Sequence, residues 1–198
     1  MSFSLDHPDA WIGVPDRWPF PGLDGTEFSD PEHWIAALLD DLDHQENQEP
    51  PTPEVRERVR EVLTMAAQRS AKAQTRVFVL FEGWDGPAFF AEALTQREEV
   101  LGTRTLEQLA GGDDPTQLGP AYVEQFQTDS GIAGVLCIRY LPFDEHGIVY
   151  GRLDYAFHEA GEVLTLSAGE LDLVDFERLK VHVALLAASV VVLETSEE

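Results

Sequence analysis

The chain has 198 residues, 43% of them hydrophobic, which is enough to bury the core of one globular domain. Its 37 acidic residues against 13 basic ones give a formal net charge of −24 at pH 7. Because such a surface repels phosphate groups, we expect no direct binding to nucleic acid or to an anionic membrane. Residues 1–50 hold twelve acids and one base, Arg17, which fits an interaction surface, a solubility device or adaptation to salt.

Residues 1–28 predict an irregular arm rich in aromatic residues, with "WIGVP" as a possible short strand. Ordering such an arm costs about 1–2 kcal/mol per residue, so large side chains must anchor it. We expect Trp11 and Trp34 in the core, and Trp18 or Phe20 partly exposed as a partner contact. Deleting the arm is then expected to lower stability by several kcal/mol, on the scale of large core truncations.

Residues 29–74 predict two helices joined by a linker at "QENQEPP". Ser29 or Asp30 can cap the first helix, and Pro31 suits its first turn. Thr52 and Pro53 open the second helix in the same way.

Residues 76–168 predict an antiparallel sheet, because β-branched and aromatic runs alternate with short turns such as "DSG", "DEHG" and "HEAG". A long helix is predicted over residues 170–193. The order of these elements predicts one α+β domain over residues 1–198, with a mostly antiparallel sheet packed by helices.

Neither a cofactor nor a metal ion is expected from the motifs. Residues 41–52 resemble a calcium loop, but Glu46 stands where the loop requires glycine and Thr52 where it requires glutamate. The chain has no nucleotide-binding glycine motif and no paired histidines at metal-site spacing. Its one cysteine, Cys137, lies in an apolar run and is expected to be buried. With no disulfide and no visible signal peptide, the expected location is cytoplasmic.

Six carboxylates crowd the stretch from residue 150 to 175. We interpret them as turn and helix-start positions, with Glu170 or Asp172 as the cap of the last helix, and not as an active site. These residues are Asp154, Glu159, Glu162, Glu170, Asp172 and Asp175.

The strand near Arg152–Phe157, the strand "GEVLTLSAG", the capping "ELDL" and the helix "FERLKVHVALLAASVVV" resemble the closing part of PsbP-like domains, including actinobacterial proteins of the LpqN type. The early "WIGVPDRW" is similar to their opening strand. The resemblance covers about the first twenty and the last sixty residues. It implies an antiparallel sheet between helices and a non-catalytic accessory or assembly role, with no catalytic residues to transfer.

Three functional hypotheses follow from the sequence. The first is a non-enzymatic cytoplasmic accessory or adaptor protein that binds another protein, and a basic partner fits its charge. The second is an acidic inhibitor or immunity protein that mimics nucleic acid, with its face within residues 24–49. The third is an enzyme that uses Asp154, Glu162 or His158 in a cleft. The expected partner-binding residues are Trp18, Phe20, Asp40, Asp41, Asp43 and Glu46.

Overall fold

The structure, a computed structural model, describes residues 2–5, 7–8, 10–22, 26–43, 51–83, 86–144 and 146–193. Backbone contacts divide the chain into two compact units. The larger unit comprises residues 1–11 and 91–198, and the smaller unit comprises residues 12–90. The prediction of one domain over residues 1–198 stays a prediction.

The main feature is an antiparallel sheet of seven strands with helices packed on it, so the predicted α+β class is confirmed. The strand order is β2-β5-β6-β10-β9-β8-β7. These strands are β2 (Trp11–Val14), β5 (Arg76–Phe81), β6 (Ala88–Arg97), β7 (Tyr122–Gln127), β8 (Ala133–Pro142), β9 (Val149–Glu159) and β10 (Glu162–Glu170). Among the described residues, two further strand pairs lie outside this sheet, namely β1 (Ser2–Leu5) with β11 (Val190–Leu193) and β3 (Phe20–Pro21) with β4 (Glu27–Phe28).

The described α-helices are α1 (Pro31–Asp43), α2 (Pro53–Ala73), α3 (Leu106–Leu109) and α4 (Leu173–Ala188). Of these, α1, α2 and α4 begin at caps that the sequence predicts. Asp30 accepts a hydrogen bond from the backbone N–H of His33 at 3.0 Å, and Thr52 accepts one from Val55 at 3.3 Å. Asp172, and not Glu170, caps α4. Such caps stabilise a helix by about 1 kcal/mol each.

The predicted terminal helix ends early. It stops at Ala188, and Val190–Leu193 form a strand paired with Ser2–Leu5. Ser189 closes the helix and donates its hydroxyl to the carbonyl of Leu186 at 2.8 Å. The β-branched run that follows favours an extended backbone, which explains why residues 190–193 leave the helix.

The predicted arm is not irregular, because four strands, β1 to β4, lie within residues 1–28. In β1, Phe3 is only 4% exposed. Within the larger unit, Trp11 is buried and its indole N–H donates to the carbonyl of His182 at 3.4 Å. The predicted burial of Trp11 is confirmed.

The smaller unit has its own core, formed by α1, α2 and β5. Trp34 is 5% exposed in this core, as predicted, whereas Trp18 and Phe20 are half-buried. The ring of Trp18 contacts Trp34 at a centroid distance of 6.2 Å and Phe20 at 6.5 Å. The fully packed aliphatic residues of this core are Ile35, Leu39, Val59, Leu63, Val77 and Val79.

Candidate functional site

The two faces of the sheet in the larger unit differ sharply in chemistry. Cross-strand neighbours point to the same side of a sheet, so the register assigns each side chain to a face. One face carries apolar side chains and packs against α4. The opposite face carries a buried polar cluster beside α3.

On the α4 face, an open groove of about 510 Å³ lies between the helix and β8. Leu136 and Ile138 of β8 are half-buried on its floor, and Leu153 and Tyr155 of β9 are buried beneath it. We name this feature the α4 groove. Its lining residues are Leu136, Ile138, Leu153, Tyr155, Glu177, Lys180, Val181, Ala184 and Leu185.

The wall of the α4 groove is a second apolar stripe on α4. The first stripe, which includes Phe176, Leu179 and Val183, is fully buried against the sheet. Val181 and Leu185 belong to another side of the helix and are 63% and 57% exposed. A helix with apolar residues on both sides normally has neighbours on both sides, so this second stripe is a surface to be covered.

The sheet ends at β7, the edge strand next to β8. Phe126 packs edge-on against Tyr155, with ring centroids 4.8 Å apart. Tyr122 is 57% exposed and donates its hydroxyl to Glu124 at 2.8 Å. Burial, with a smaller contribution from the charge of Glu124, raises the pKa of Tyr155 to about 12. Tyr155 therefore adds a neutral aromatic ring to the floor at physiological pH.

The larger unit is strongly acidic. It holds 22 of the acids and six of the bases. Four of those bases already form ion pairs with carboxylates of the same unit, namely Arg139, Arg152, Arg178 and Lys180. At the groove itself, Lys180 is bound to Glu177 at 2.6 Å, and Glu124 adds a carboxylate on the β7 side. The field around the α4 groove therefore attracts cations.

On the opposite face, Asp154 is the centre of a buried cluster and not a turn residue, so our interpretation of this carboxylate is wrong. Asp154 is 3% exposed in the middle of β9 and accepts a hydrogen bond from Arg139 at 2.6 Å. Arg152 donates to both of its carboxylate oxygens at 2.9 Å, and Ser167 donates its hydroxyl as well. The pKa of Arg152 is raised, chiefly by its hydrogen bonds to Asp154. We name this group the Asp154 cluster.

The Asp154 cluster also attaches the segment around α3 to the sheet. Arg139 donates to the carbonyl of Gly111 at 3.1 Å and to Asp114 at 2.9 Å. Gly111 has a φ of +82°, and a Cβ there would lie 2.0 Å from the guanidinium group. Glycine is required at this position because the arginine occupies the space of a side chain.

The three residues of the enzyme hypothesis do not converge. Asp154 and Glu162 lie on opposite faces of the sheet, since the register places Asp154 beside Ser167 and Glu162 five residues earlier on β10. Glu162 accepts a hydrogen bond from the backbone N–H of Phe3 at 3.3 Å. His158 is paired with Glu98 at 3.1 Å. Each residue therefore serves a separate local contact.

The expected partner-binding residues lie in the smaller unit or outside the described residues. Trp18 and Phe20 form an aromatic contact, and the exposed Asp40 is bound to Arg56 at 3.1 Å. Asp41 is exposed at the end of α1. Asp43 is the last residue of that helix, and Glu46, with most of the calcium-like loop, lies outside the described residues.

In the described part of the chain, no three His, Cys, Asp or Glu side chains converge as a metal site requires. Nor does any helix among those residues combine the length and apolar character needed to span a membrane. Cys137 is buried, as predicted, and burial raises the pKa of its thiol. This thiol packs with Ala110 and Ala156 beside α3.

A scan against models of known protein families finds no match for this chain. A search of curated proteins likewise finds no matching relative. The resemblance to PsbP-like domains therefore stays a prediction. The α4 groove is the candidate site on the strength of its own geometry.

Sequence reasoning missed the α4 groove, although one signal for it was present. The residues at 176, 179, 183 and 186 already complete one buried stripe. Val181 and Leu185 fall off that stripe and are surplus apolar residues on the side of the helix that also carries Glu177 and Arg178. Counting the apolar residues on each side of the predicted helix therefore identifies Val181 and Leu185 as a second apolar surface.

Proposed function

We propose that this chain is a non-enzymatic, cytoplasmic accessory protein that binds a segment of another protein in the α4 groove. The segment is apolar on the side that enters the groove and carries positive charge. The observation that supports this proposal is the apolar floor and wall of the groove, which the described chain leaves open to solvent.

The apolar character of the partner follows from the surface that it covers. Val181 and Leu185 are more than half exposed, and Leu136 and Ile138 are half-buried beside them. Burial of an aliphatic side chain contributes about 1.5–3 kcal/mol, so covering this group of residues provides a substantial driving force. Contiguous apolar patches of this kind are typical of interaction sites.

The positive charge of the partner follows from electrostatics. The whole chain carries a net charge of −24, and Glu124 and Glu177 stand at the groove. A second copy of the chain would bring like charges together, which disfavours self-association at this surface. A basic partner is attracted over a distance and associates faster at low salt.

The non-enzymatic part of the proposal rests on how the chain uses its polar groups. The carboxylate of Asp154 is saturated by two arginines and a serine in a buried cluster. Glu162 and His158 serve other contacts. The cytoplasmic location rests on the single cysteine, which is buried and forms no disulfide.

Site-specific photo-crosslinking in native lysate tests the proposal. A photoreactive residue at Val181 reports the α4 groove, and one at the exposed Thr103 reports a surface elsewhere. Mass spectrometry then identifies the crosslinked segment. The Val181 probe is repeated with Ile138→Gln, which removes an apolar side chain from the floor of the groove.

The expected result is that the Val181 probe crosslinks one segment rich in apolar and basic residues. The Thr103 probe does not crosslink this segment, and Ile138→Gln abolishes its crosslink to Val181. Equal labelling at Val181 and Thr103 would contradict a specific site. A crosslink from Val181 to a second copy of this chain would identify a dimer interface and overturn the proposal.

A further inference from the structure

We infer that the segment bound in the α4 groove is an amphipathic helix that lies alongside α4 and covers β7 and β8. This inference rests on the proposed function and specifies the form of its partner. It depends on which strands the described helices cover, on the width of the uncovered sheet and on the shape of the groove wall.

On this face, α4 packs on β9 and β10. The next two strands form the edge of the sheet and carry the half-buried Leu136, Ile138 and Phe126. Since neighbouring strands lie about 4.8 Å apart, two strands present a width of about 10 Å. This is the diameter of one α-helix and matches the 8–10 Å axial spacing of packed helices. The uncovered surface has room for one helix beside α4.

The wall of the groove has the shape that receives a helix. Val181, Ala184 and Leu185 stand at i, i+3 and i+4, which is the spacing of a ridge that packs into the grooves of a neighbouring helix. Ala184 lies between the two larger residues and permits close approach of a second backbone. Glu177 precedes Val181 by one turn and is paired with Lys180, so the attraction for a basic partner helix comes from the acidic field of the whole unit.

A partner strand added to the edge of β7 does not fit the same observations. Strand addition takes place in the plane of the sheet, beyond the side of β7 that faces away from β8. The side chains of Leu136 and Ile138 point out of that plane, so an added strand would leave the groove floor open. A helix laid over the face covers both the floor and the wall.

Two synthetic peptides of identical composition test the inference. Both contain 14 residues of leucine, alanine and lysine. One places leucine at i, i+3, i+4 and i+7, and the other alternates leucine with lysine. Each is titrated into the full chain by fluorescence anisotropy, and circular dichroism records its helix content in the complex. The variants are Leu185→Gln in the groove wall and, as a control of similar exposure outside the groove lining, Leu118→Gln.

The expected result is that the helix-patterned peptide binds at least tenfold more tightly than the alternating one and gains helix content on binding. Leu185→Gln weakens this binding at least tenfold, and Leu118→Gln changes it less than twofold. Unchanged binding in both variants would mean that the peptide binds through charge alone, and equal loss in both would mean that it binds at no specific surface. Either result would overturn the inference.

The alternating peptide could instead bind more tightly than the helix-patterned one and still lose its affinity with Leu185→Gln. That result would show that the α4 groove binds an extended segment. That outcome overturns the helical form and leaves the proposed function intact. Failure of both peptides to bind also overturns the helical inference, whereas the proposed function is judged separately by the crosslink at Val181.

Discussion

Arg139 and Asp154 face each other on the neighbouring strands β8 and β9, 2.6 Å apart, with both side chains less than a tenth exposed. The pair lies on the face of the sheet opposite the α4 groove, and Arg152 shares the same carboxylate. Two cations and two carboxylates, Asp154 and Asp114, thus meet on this face of the sheet. This cluster joins β8, β9 and the segment around α3, so it supports the floor of the groove from behind.

Removing the carboxylate of Asp154 is expected to destabilise the protein strongly. Asp154→Asn leaves the buried Arg139 and the half-buried Arg152 without their shared anion, and the loss of one partner from a buried pair costs about 3–5 kcal/mol. The free energy of unfolding is measured by urea denaturation. Asp175→Asn is the control, because its pair with Arg178 is solvent-exposed and contributes less than about 1 kcal/mol. Similar losses for both variants would show that the cluster has no special role.

Gly151 is expected to be intolerant of a side chain. A Cβ at this position of β9 would lie 2.5 Å from the ring of Phe176, which packs α4 against the sheet. Gly151→Ala should therefore cost about 1–3 kcal/mol by overpacking. A double-mutant cycle with Phe176→Leu measures the coupling by thermal and urea unfolding. If the losses of unfolding free energy in Gly151→Ala and Phe176→Leu are additive in the double variant, the ring of Phe176 is not what excludes the methyl group.

The sequence predicted well those features, such as helix caps and turns, that depend on residues a few positions apart in the chain. Asp172 caps α4 through bonds to residues two and three positions away, and the Ala160–Gly161 turn has positive φ at both residues. The predicted strands have the same physical basis, because alternation fixes which side chains share a face. Neither prediction needs knowledge of distant partners.

Features that depend on distant partners were missed. Asp154 is recognisable as a cluster centre only once Arg139 and Asp114 are brought to it by the register and by the chain around α3. Likewise, Val190–Leu193 continues the helical spacing of α4, and its β-branched residues form a strand where β1, from the far end of the chain, pairs with them. The α4 groove exists because α4 leaves part of the sheet uncovered. The hydrophobic periodicity of the sequence does not tell which strands a helix will cover.

Tyr155 should make the free energy of unfolding depend on pH in the alkaline range. Burial raises its pKa from the ordinary value near 10 to about 12, so the unfolded chain loses this proton first. The resulting stabilisation is complete below pH 10 and is lost as the pH rises through about 12. Its size is about 2–3 kcal/mol. Unfolding free energies of the wild type and Tyr155→Phe are compared between pH 9 and 12. Parallel decline of the two proteins would contradict the account.

Substitutions in the wall of the α4 groove should spare the fold. Val181 and Leu185 are more than half exposed and lie off the buried stripe of α4. Val181→Gln and Leu185→Gln should therefore change the free energy of unfolding by less than about 0.5 kcal/mol. By contrast, Leu179→Gln on the buried stripe should cost several kcal/mol, since it places a polar group in the core. Equal destabilisation by Leu185→Gln and Leu179→Gln would show that the groove wall is part of the core.

The affinity of the partner segment captured through Val181 tests the central claim most directly. Calorimetry compares its binding to the wild type, to Val181→Gln with Leu185→Gln, and to Leu118→Gln, at low and high salt. The account predicts at least a tenfold loss, about 1.4 kcal/mol, for the groove variant. It also predicts less than a twofold change for the control and weaker binding at high salt. Unchanged affinity in the groove variant would contradict the assignment of the α4 groove as the binding site.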